Sequence, residues 1–284
     1  MGNVGRFVGL WRVSSHVLLP AALLFTAGVG AASAIAQSSA PGPTAGPAPK
    51  TQSPAVAVPV KKDSQERVDP MRTDWPNLKR FHADDVALPA PAGENRVVFM
   101  GDSITEAWLH NGAEAGETDP GFFPGKPYVN RGISGQTTPQ MLLRFRQDVI
   151  ELKPAAVVIF AGTNDVAGNT GDMTPEQTED NLSSMADLAH ANGVKVVLCS
   201  ILPAFDFSWK RGREPAPKIA EINSWIKEYA ASHGYVYVDF YSAMVDARGG
   251  LPDNLSKDGV HPVKAGYEIM NPLVEAGIAK ALGK

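Results

Sequence analysis

The chain has 284 residues, with 26 Lys and Arg against 30 Asp and Glu, and its formal net charge is −4. This mildly acidic balance argues against nucleic acid as a partner. A single cysteine, Cys199, excludes a disulfide within the chain, and the Cys and His residues lack the spacing of zinc ligands. We therefore expect neither a metal nor another cofactor.

The first 36 residues have the form of a secretory signal peptide. Arg6 and Arg12 precede an apolar segment over residues 17–32, and Ala34-Ile35-Ala36 supplies small residues before a cleavage site. The alternative is an uncleaved anchor, but Ser, Gly and Pro interrupt the segment, which is shorter than the ~20 apolar residues of a spanning helix. We expect cleavage after Ala36 and a secreted or periplasmic protein without a transmembrane helix in the mature chain.

Residues 37–70 are rich in Pro and Ala and carry few large apolar side chains. Such a composition does not offset the entropy that ordering would cost, so a disordered linker is predicted there. Residues 71–284 have the size of one α/β domain with one core.

Five apolar runs of strand length recur in this domain, and helical patterns separate them. Strands that are apolar on both faces and alternate with helices predict a parallel sheet covered on both sides, which is a three-layer α/β/α sandwich. The predicted strands are residues 96–100, 128–130, 155–161, 194–200 and 235–240.

The predicted helices have recognisable ends. Thr138-Pro139 begins one helix that Pro154 ends, and Thr174-Pro175-Glu176-Gln177 begins a second helix with a capping box. A third apolar stripe over residues 219–229 is closed by Gly234, and a last helix follows His261.

Four short motifs follow predicted strands or loops. Gly101-Asp102-Ser103-Ile104-Thr105 places a serine hydroxyl where the first strand ends, and Asp258-Gly259-Val260-His261 supplies an imidazole and a carboxylate near the other end. Asn130-Arg131-Gly132-Ile133-Ser134-Gly135 and Ala161-Gly162-Thr163-Asn164-Asp165 lie between them. Serine attack on an acyl group needs a base and a carboxylate that orients it, and His261 and Asp258 are the candidates. Taken singly, each motif is also a common turn sequence.

Together these motifs resemble the SGNH (GDSL) hydrolase family, including its bacterial secreted acylhydrolases, over residues 74–282. The resemblance implies a serine esterase with strand order 2-1-3-4-5, Ser103 as nucleophile, His261 as base and Asp258 as the orienting carboxylate. It also implies an oxyanion hole made of the backbone N–H groups of Ser103 and Gly132 and the side-chain amide of Asn164. Asp102 and Asp165 are interpreted as structural groups that bond backbone amides.

Two loops carry aromatic residues: residues 107–126, with Trp108, Phe122 and Phe123, and residues 202–218, with Phe205, Phe207 and Trp209. They are expected either to line the site or to pack the loops onto the domain. Neither loop predicts a long apolar groove, which favours a short acyl group, acetyl above all, on a carbohydrate or another small alcohol. The alternatives are a lysophospholipase- or thioesterase-like enzyme for longer chains and a non-catalytic extracellular carbohydrate- or wall-binding module on the same fold.

The pre-strand segment, Asp74-Trp75-Pro76-Asn77-Leu78-Lys79-Arg80-Phe81, comes before the first strand. It is expected to pack Trp75 and Leu78 onto the domain, because large apolar side chains in such segments usually anchor by burial. A substrate role for Trp75 is the alternative.

Overall fold

The computed structural model describes residues 73–113, 118–119 and 121–284. The predicted signal peptide and linker lie outside the described residues. Five parallel strands form one sheet in the order β2-β1-β3-β4-β5, which confirms the predicted fold. The strands are β1 (Val97–Gly101), β2 (Tyr128–Gly132), β3 (Ala156–Phe160), β4 (Lys195–Cys199) and β5 (Val236–Val238).

Helices connect the strands and cover the sheet. They are α1 (Lys79–Ala87), α2 (Ser103–Ala107), α3 (Thr138–Asp148), α4 (Thr163–Ala167), α5 (Pro175–Ala191), α6 (Pro215–His233), α7 (Phe240–Met244) and α8 (Lys264–Ala281). Within the part of the chain that the structure describes, no helix combines the length and the hydrophobicity needed to span a membrane.

Local sequence accounts for most of the helix boundaries. At the start of α5, the N–H of Gln177 donates to Thr174 Oγ1 at 3.3 Å and the N–H of Thr174 donates to Gln177 Oε1 at 3.0 Å, so the predicted capping box is present. Gly234 ends α6 in the left-handed conformation that glycine adopts without strain. The helix after Thr138 ends at Asp148, before the predicted stop at Pro154, because a separate 3₁₀ turn covers residues 150–152.

Each central strand buries side chains on both faces. In β1, Val98 and Met100 pack with residues of α3, α5 and α6, whereas Val97 and Phe99 pack with residues of α2 and α8. All four side chains are essentially inaccessible to solvent. This two-sided burial is the reason why the strands read as continuous apolar runs rather than as an alternating pattern.

The last predicted strand, residues 235–240, is wrong at its end. Strand β5 stops at Val238, and Asp239 then caps α7 by accepting a hydrogen bond from the N–H of Ser242 at 2.9 Å. Phe240 is therefore a buried helix residue rather than a strand residue. The capping carboxylate competes with strand extension, and the apolar pattern alone does not reveal it.

Two glycines allow α2 to lie close to the strands beside it. A Cβ on Gly101 would collide with the side chain of Thr105 in α2, and a Cβ on Gly132 would collide with the backbone of Thr105 and Glu106 in the same helix. Helix α2 carries Ser103, so these glycines set the depth at which the serine is held.

We predict that Gly132→Ala destabilises the protein by about 1–3 kcal/mol or more, because the new methyl group meets helix backbone that cannot move aside. Urea denaturation followed by circular dichroism measures this loss. Gly193→Ala is the control: Gly193 has φ +74° but open space around its Cβ position, so only the roughly 1 kcal/mol cost of the left-handed conformation applies. Equal losses in the two variants would contradict the packing argument.

Candidate active site

Ser103 is the first residue of α2 and follows β1 after one intervening residue, Asp102. Asp102 caps the helix, since its Oδ1 accepts a hydrogen bond from the N–H of Ile104 at 2.9 Å. The first N–H groups of a helix have no partner within it, so the Ser103 amide belongs to a turn that favours negative charge.

The structure brings the three predicted catalytic residues together. Ser103 Oγ lies 2.9 Å from Nε2 of His261, and Nδ1 of the same ring lies 2.6 Å from Asp258 Oδ2. The serine and the histidine are 158 positions apart in the chain, whereas the histidine and the aspartate are three apart. This order of groups is the one that acyl transfer by a serine nucleophile requires.

Asp258 is held as a carboxylate. Its partial burial acts to raise its pKa, but hydrogen bonds from the His261 ring and from the N–H groups of His261 and Val260 outweigh that effect and lower the pKa to about 2. The two backbone bonds to Oδ1 measure 2.8 Å from His261 and 3.0 Å from Val260. The ionised group can therefore orient the imidazole and stabilise its protonated form throughout the neutral range.

Asn164 lies buried at the start of α4, next to this edge of the sheet. Its Nδ2 donates to the backbone oxygen of Gln136 at 3.0 Å and to Asp102 Oδ2 at 3.3 Å, and its Oδ1 accepts from Asn169 Nδ2 at 2.7 Å. The amide nitrogen is thus fixed in orientation beside the loop that carries Ser103.

Gly132 does not present a free amide. Its N–H donates to Asn130 Oδ1 at 2.8 Å, and the glycine lies at the end of β2 under the backbone of α2. The reason for a glycine here is close packing. We therefore do not retain Gly132 as an oxyanion donor.

The turn that follows β2 offers another glycine amide. Gly135 is exposed, has φ +77°, and its N–H has no acceptor within residues 73–113, 118–119 and 121–284. Its carbonyl oxygen accepts from Asn169 Nδ2 at 3.3 Å, which places the turn beside the Asn164 side chain. The same sequence motif contains both glycines, and only the path of the backbone distinguishes them.

Two further aspartates are buried at this edge. Burial raises the pKa of Asp102 to about 6, although the N–H of Ile104 and the charge of His261 act to lower it. Burial also raises the pKa of Asp165 to about 6, against hydrogen bonds from the hydroxyl and the N–H of Thr138. Both carboxylates accept bonds from backbone amides, in agreement with the structural role expected for them.

The aromatic residues of the two loops divide between the core and the site. Trp108 is fully buried, its ring centroid lies 5.5 Å from those of Phe99 and Tyr267, and its indole N–H donates to Asn271 Oδ1 at 2.7 Å. Phe123 is buried in the same cluster, with Phe122 packed against it. The loop of residues 107–126 therefore uses its aromatic residues for packing.

Among the aromatic residues of these two loops, Trp209 reaches the candidate site. Its ring centroid lies 5.9 Å from that of His261, and its indole N–H donates to Asn169 Oδ1 at 3.0 Å. Phe207 beneath it is fully buried, whereas Phe205 is exposed elsewhere on the loop. Trp209 connects the base with the asparagine that holds Asn164.

No group of three or more His, Cys, Asp or Glu side chains that could hold a metal ion occurs among the described residues. Cys199 is buried in β4, and its burial raises the pKa of the thiol above the usual range. The candidate site presents serine, imidazole, carboxylate and amide groups.

A comparison with known protein families identifies the family to which this chain belongs. The profile of the GDSL-like Lipase/Acylhydrolase family matches residues 99–269, which is more than half of the chain and includes both Ser103 and His261. The chain belongs to the GDSL-like lipase/acylhydrolase family. The predicted SGNH (GDSL) membership and the class of carboxylic-ester hydrolase are thereby confirmed at the level of the family.

Individual relatives agree with this membership. The structure of a GDSL-like lipase from Bacteroides thetaiotaomicron is 46% identical, with a TM-score of 0.69, over 74% of this chain and 100% of that chain. Esterase TesA of Pseudomonas aeruginosa is 34% identical over 141 residues, or 48% of this chain and 62% of that protein. An acetylxylan esterase of Xylanibacter ruminicola is 26% identical over 221 residues, or 68% of this chain and 45% of that protein. The chain thus spans less than two thirds of the length of these two curated relatives.

We predict that the stability of this GDSL-family protein falls as the pH rises from 4 to 6. An aspartate in the unfolded chain titrates near 3.8, so in this window folded Asp102 and Asp165 retain protons that the unfolded chain has released. Asp165→Asn removes one of the two groups. It should reduce the fall in the free energy of unfolding between pH 4 and pH 6 by on the order of 2 kcal/mol. Urea denaturation at pH 4, 5 and 6 measures the slope.

Asp253→Asn changes an exposed aspartate and serves as the control for charge removal alone. Its slope should equal that of the unmodified protein. Parallel slopes for Asp165→Asn and the unmodified protein would show that burial of this carboxyl group does not govern the pH dependence.

Proposed function

We propose that this GDSL-family protein is an exported serine esterase that hydrolyses carboxylic esters with short acyl groups, above all acetyl esters of carbohydrates or other small alcohols. The observation that carries the proposal is the unbroken chain of contacts from Ser103 Oγ through the His261 ring to the Asp258 carboxylate, at 2.9 Å and 2.6 Å. The identity and the position of these groups match the needs of nucleophilic acyl transfer.

In the proposed reaction, Ser103 Oγ attacks the ester carbonyl carbon while His261 Nε2 accepts the hydroxyl proton. Asp258 stabilises the imidazolium that forms, and His261 then gives the proton to the oxygen of the departing alcohol. Water attacks the carbonyl carbon of the resulting acyl-enzyme while His261 Nε2 accepts a proton from it. His261 then returns that proton to Ser103 Oγ as the bond between Oγ and the acyl carbon breaks, which releases the carboxylic acid and restores the serine.

The oxygen that becomes negative needs donors that are already in place. We assign this role to the N–H of Ser103, the N–H of Gly135 and the side-chain amide of Asn164. Of the two bonds that Asn164 Nδ2 makes, the one to Asp102 at 3.3 Å is the longer, and it is the one that the oxyanion would replace. Each such donor typically contributes a factor of ~10²–10³ to turnover.

The short acyl group is supported by the composition of the site. The aromatic residues of loop 107–126 pack in the core and leave no aromatic wall there for a long chain. Similarity to the acetylxylan esterase of Xylanibacter ruminicola also favours an acetyl ester of a carbohydrate. A longer acyl chain is the alternative to be tested.

Export is proposed from the sequence of residues 1–36, with cleavage after Ala36. The test is the amino terminus of the protein recovered outside the cytoplasm. A terminus at Gln37 supports the proposal, and a protein that retains Met1 contradicts it.

We predict that Ser103→Ala loses hydrolysis of p-nitrophenyl acetate by about 10⁴-fold or more, because the nucleophile is absent. The melting temperature should change little, since the Oγ is not part of the core. Ser184→Ala, which alters an exposed serine on α5, should retain full activity. An active Ser103→Ala variant would contradict the mechanism. An inactive unmodified protein that still binds carbohydrate would support the binding-module alternative.

A series of p-nitrophenyl esters from acetyl to octanoyl tests the length of the acyl group. We expect kcat/KM to be highest for acetyl and to fall at least about tenfold at octanoyl, because a polar surface gives a long chain little apolar contact. A maximum at octanoyl would instead favour the lysophospholipase- or thioesterase-like alternative.

A further inference from the structure

A cavity of about 620 Å³ lies beside the candidate active site and has no role in the mechanism above. Four parts of the chain line it: Thr73, Asp74, Trp75, Asn77 and Lys79 before β1, the turn after β2, Gln140 of α3, and Asn169 with Thr170. Gly135 and Asn169 line it, and Asn169 is the residue whose amide bonds Asn164 Oδ1 at 2.7 Å. The cavity therefore adjoins the proposed oxyanion donors.

The pre-strand segment is held in the cavity wall by its backbone. Three glutamine side chains donate hydrogen bonds to carbonyl oxygens of the segment. Gln136 donates to that of Pro76 at 2.7 Å and Gln140 to that of Trp75 at 2.8 Å. Gln147 donates to that of Leu78 at 2.8 Å. Asp74 Oδ1 and Oδ2 accept from the N–H groups of Leu78 and Lys79.

Of the large apolar side chains of the segment, Phe81 is buried, and the guanidinium of Arg131 lies 4.7 Å from the centroid of its ring. Leu78 is exposed, and Trp75 is half-buried and belongs to neither hydrophobic core cluster of the described residues. The expectation that Leu78 anchors the segment by burial is therefore wrong, and Trp75 is only partly buried. Trp75 lines the cavity and is partly accessible to solvent.

One of the three glutamines also connects the wall to the nucleophile. Gln136 Oε1 accepts from Arg144 Nε at 2.6 Å, and Arg144 in turn donates to the carbonyl oxygen of Gly101 at 3.1 Å, two residues before Ser103. The backbone oxygen of Gln136 accepts from Asn164 Nδ2 at 3.0 Å. The position of the wall is therefore set relative to both the nucleophile and an oxyanion donor.

The chemistry of the lining fits a neutral sugar. Uncharged hydroxyl and amide side chains predominate, among them Ser134, Gln140 and Asn169, and Trp75 adds an aromatic surface on which a sugar ring can stack. The charged residues, Asp74 and Lys79, are of opposite sign, so no cluster of cations favours a phosphate. A long acyl chain would remove these polar groups from water without replacing their hydrogen bonds.

We infer that this cavity binds the carbohydrate alcohol of the ester and that Trp75 is a specificity-determining residue for it. This inference rests on the proposed function, and it concerns the part of the same site that would bind the alcohol released from the ester. The volume of about 620 Å³ is far larger than an acetyl group needs and suits one or two sugar rings.

The first test compares two esters in Trp75→Ala. We expect the ratio of kcat/KM for acetylated xylo-oligosaccharides to kcat/KM for p-nitrophenyl acetate to fall at least tenfold, mainly through KM, because the phenyl ester lacks the sugar that Trp75 contacts. Trp75→Phe keeps an aromatic face and should restore most of the ratio. Trp225→Ala removes a half-buried tryptophan that stacks on Tyr229 in α6, away from the cavity, and should leave the ratio unchanged. An unchanged ratio in Trp75→Ala would overturn the inference. So would a loss of kcat/KM in this variant that is larger for p-nitrophenyl octanoate than for the oligosaccharides.

The second test needs no catalysis. Titration calorimetry of Ser103→Ala with xylotetraose and with acetylated xylo-oligosaccharides should show binding that weakens at least tenfold when Trp75→Ala is added. If no ester is hydrolysed but this binding occurs, the proposed function fails and the carbohydrate site stands. If p-nitrophenyl acetate is hydrolysed but neither saccharide binds to Ser103→Ala, the proposed function stands and the inference fails.

Discussion

A buried guanidinium holds together the edge of the sheet on which the candidate site is built. Arg144 in α3 is inaccessible to solvent and donates to Asp148 Oδ2 at 2.9 Å, to Gln136 Oε1 at 2.6 Å and to the carbonyl oxygen of Gly101 at 3.1 Å. One planar cation thus joins the end of β1 to the turn after β2. Loss of one partner from such a buried charge pair typically costs about 3–5 kcal/mol, because the other charge is left without compensation. The positions of Ser103 and of the cavity wall both depend on this contact.

The pKa values of three aspartate side chains at this edge are shifted in opposite directions. Asp258 is partly exposed and accepts three hydrogen bonds from His261 and Val260, so its pKa falls to about 2. Asp102 and Asp165 are enclosed, and their burial raises the pKa of each to about 6. Hydrogen-bond donors favour the charged form of a carboxyl group, and desolvation disfavours it. The carboxyl group next to the imidazole is the one whose pKa is lowered, which is what an orienting carboxylate requires.

The path of the backbone decides which aromatic side chains pack in the core and which lie at the site. Trp108 and Phe123 occupy the core on the side of α8, whereas Trp209 lies over His261 and bonds Asn169. The pre-strand segment is attached by three glutamine side chains, which leaves Trp75 in the cavity wall. The segment is thus attached through its backbone carbonyls, while Trp75 lines the cavity and stays partly accessible.

Sequence alone determined the features that depend on neighbouring residues. The five apolar runs, the capping box at Thr174 and Gln177, and the pairing of Asp258 with His261 are local, because their partners lie a few positions apart. The strand order and the meeting of Ser103 with His261 were expected only through resemblance to a family, since no local pattern relates residues 158 positions apart.

The tertiary structure alone decided that the Gly132 amide is bonded to Asn130 and that the Gly135 amide is free of acceptors among the described residues. It also decided that Trp108 is buried while Trp75 and Trp209 border the site. The direction of an N–H group and the surroundings of a ring are set by packing between distant segments, and a sequence motif carries no record of that packing.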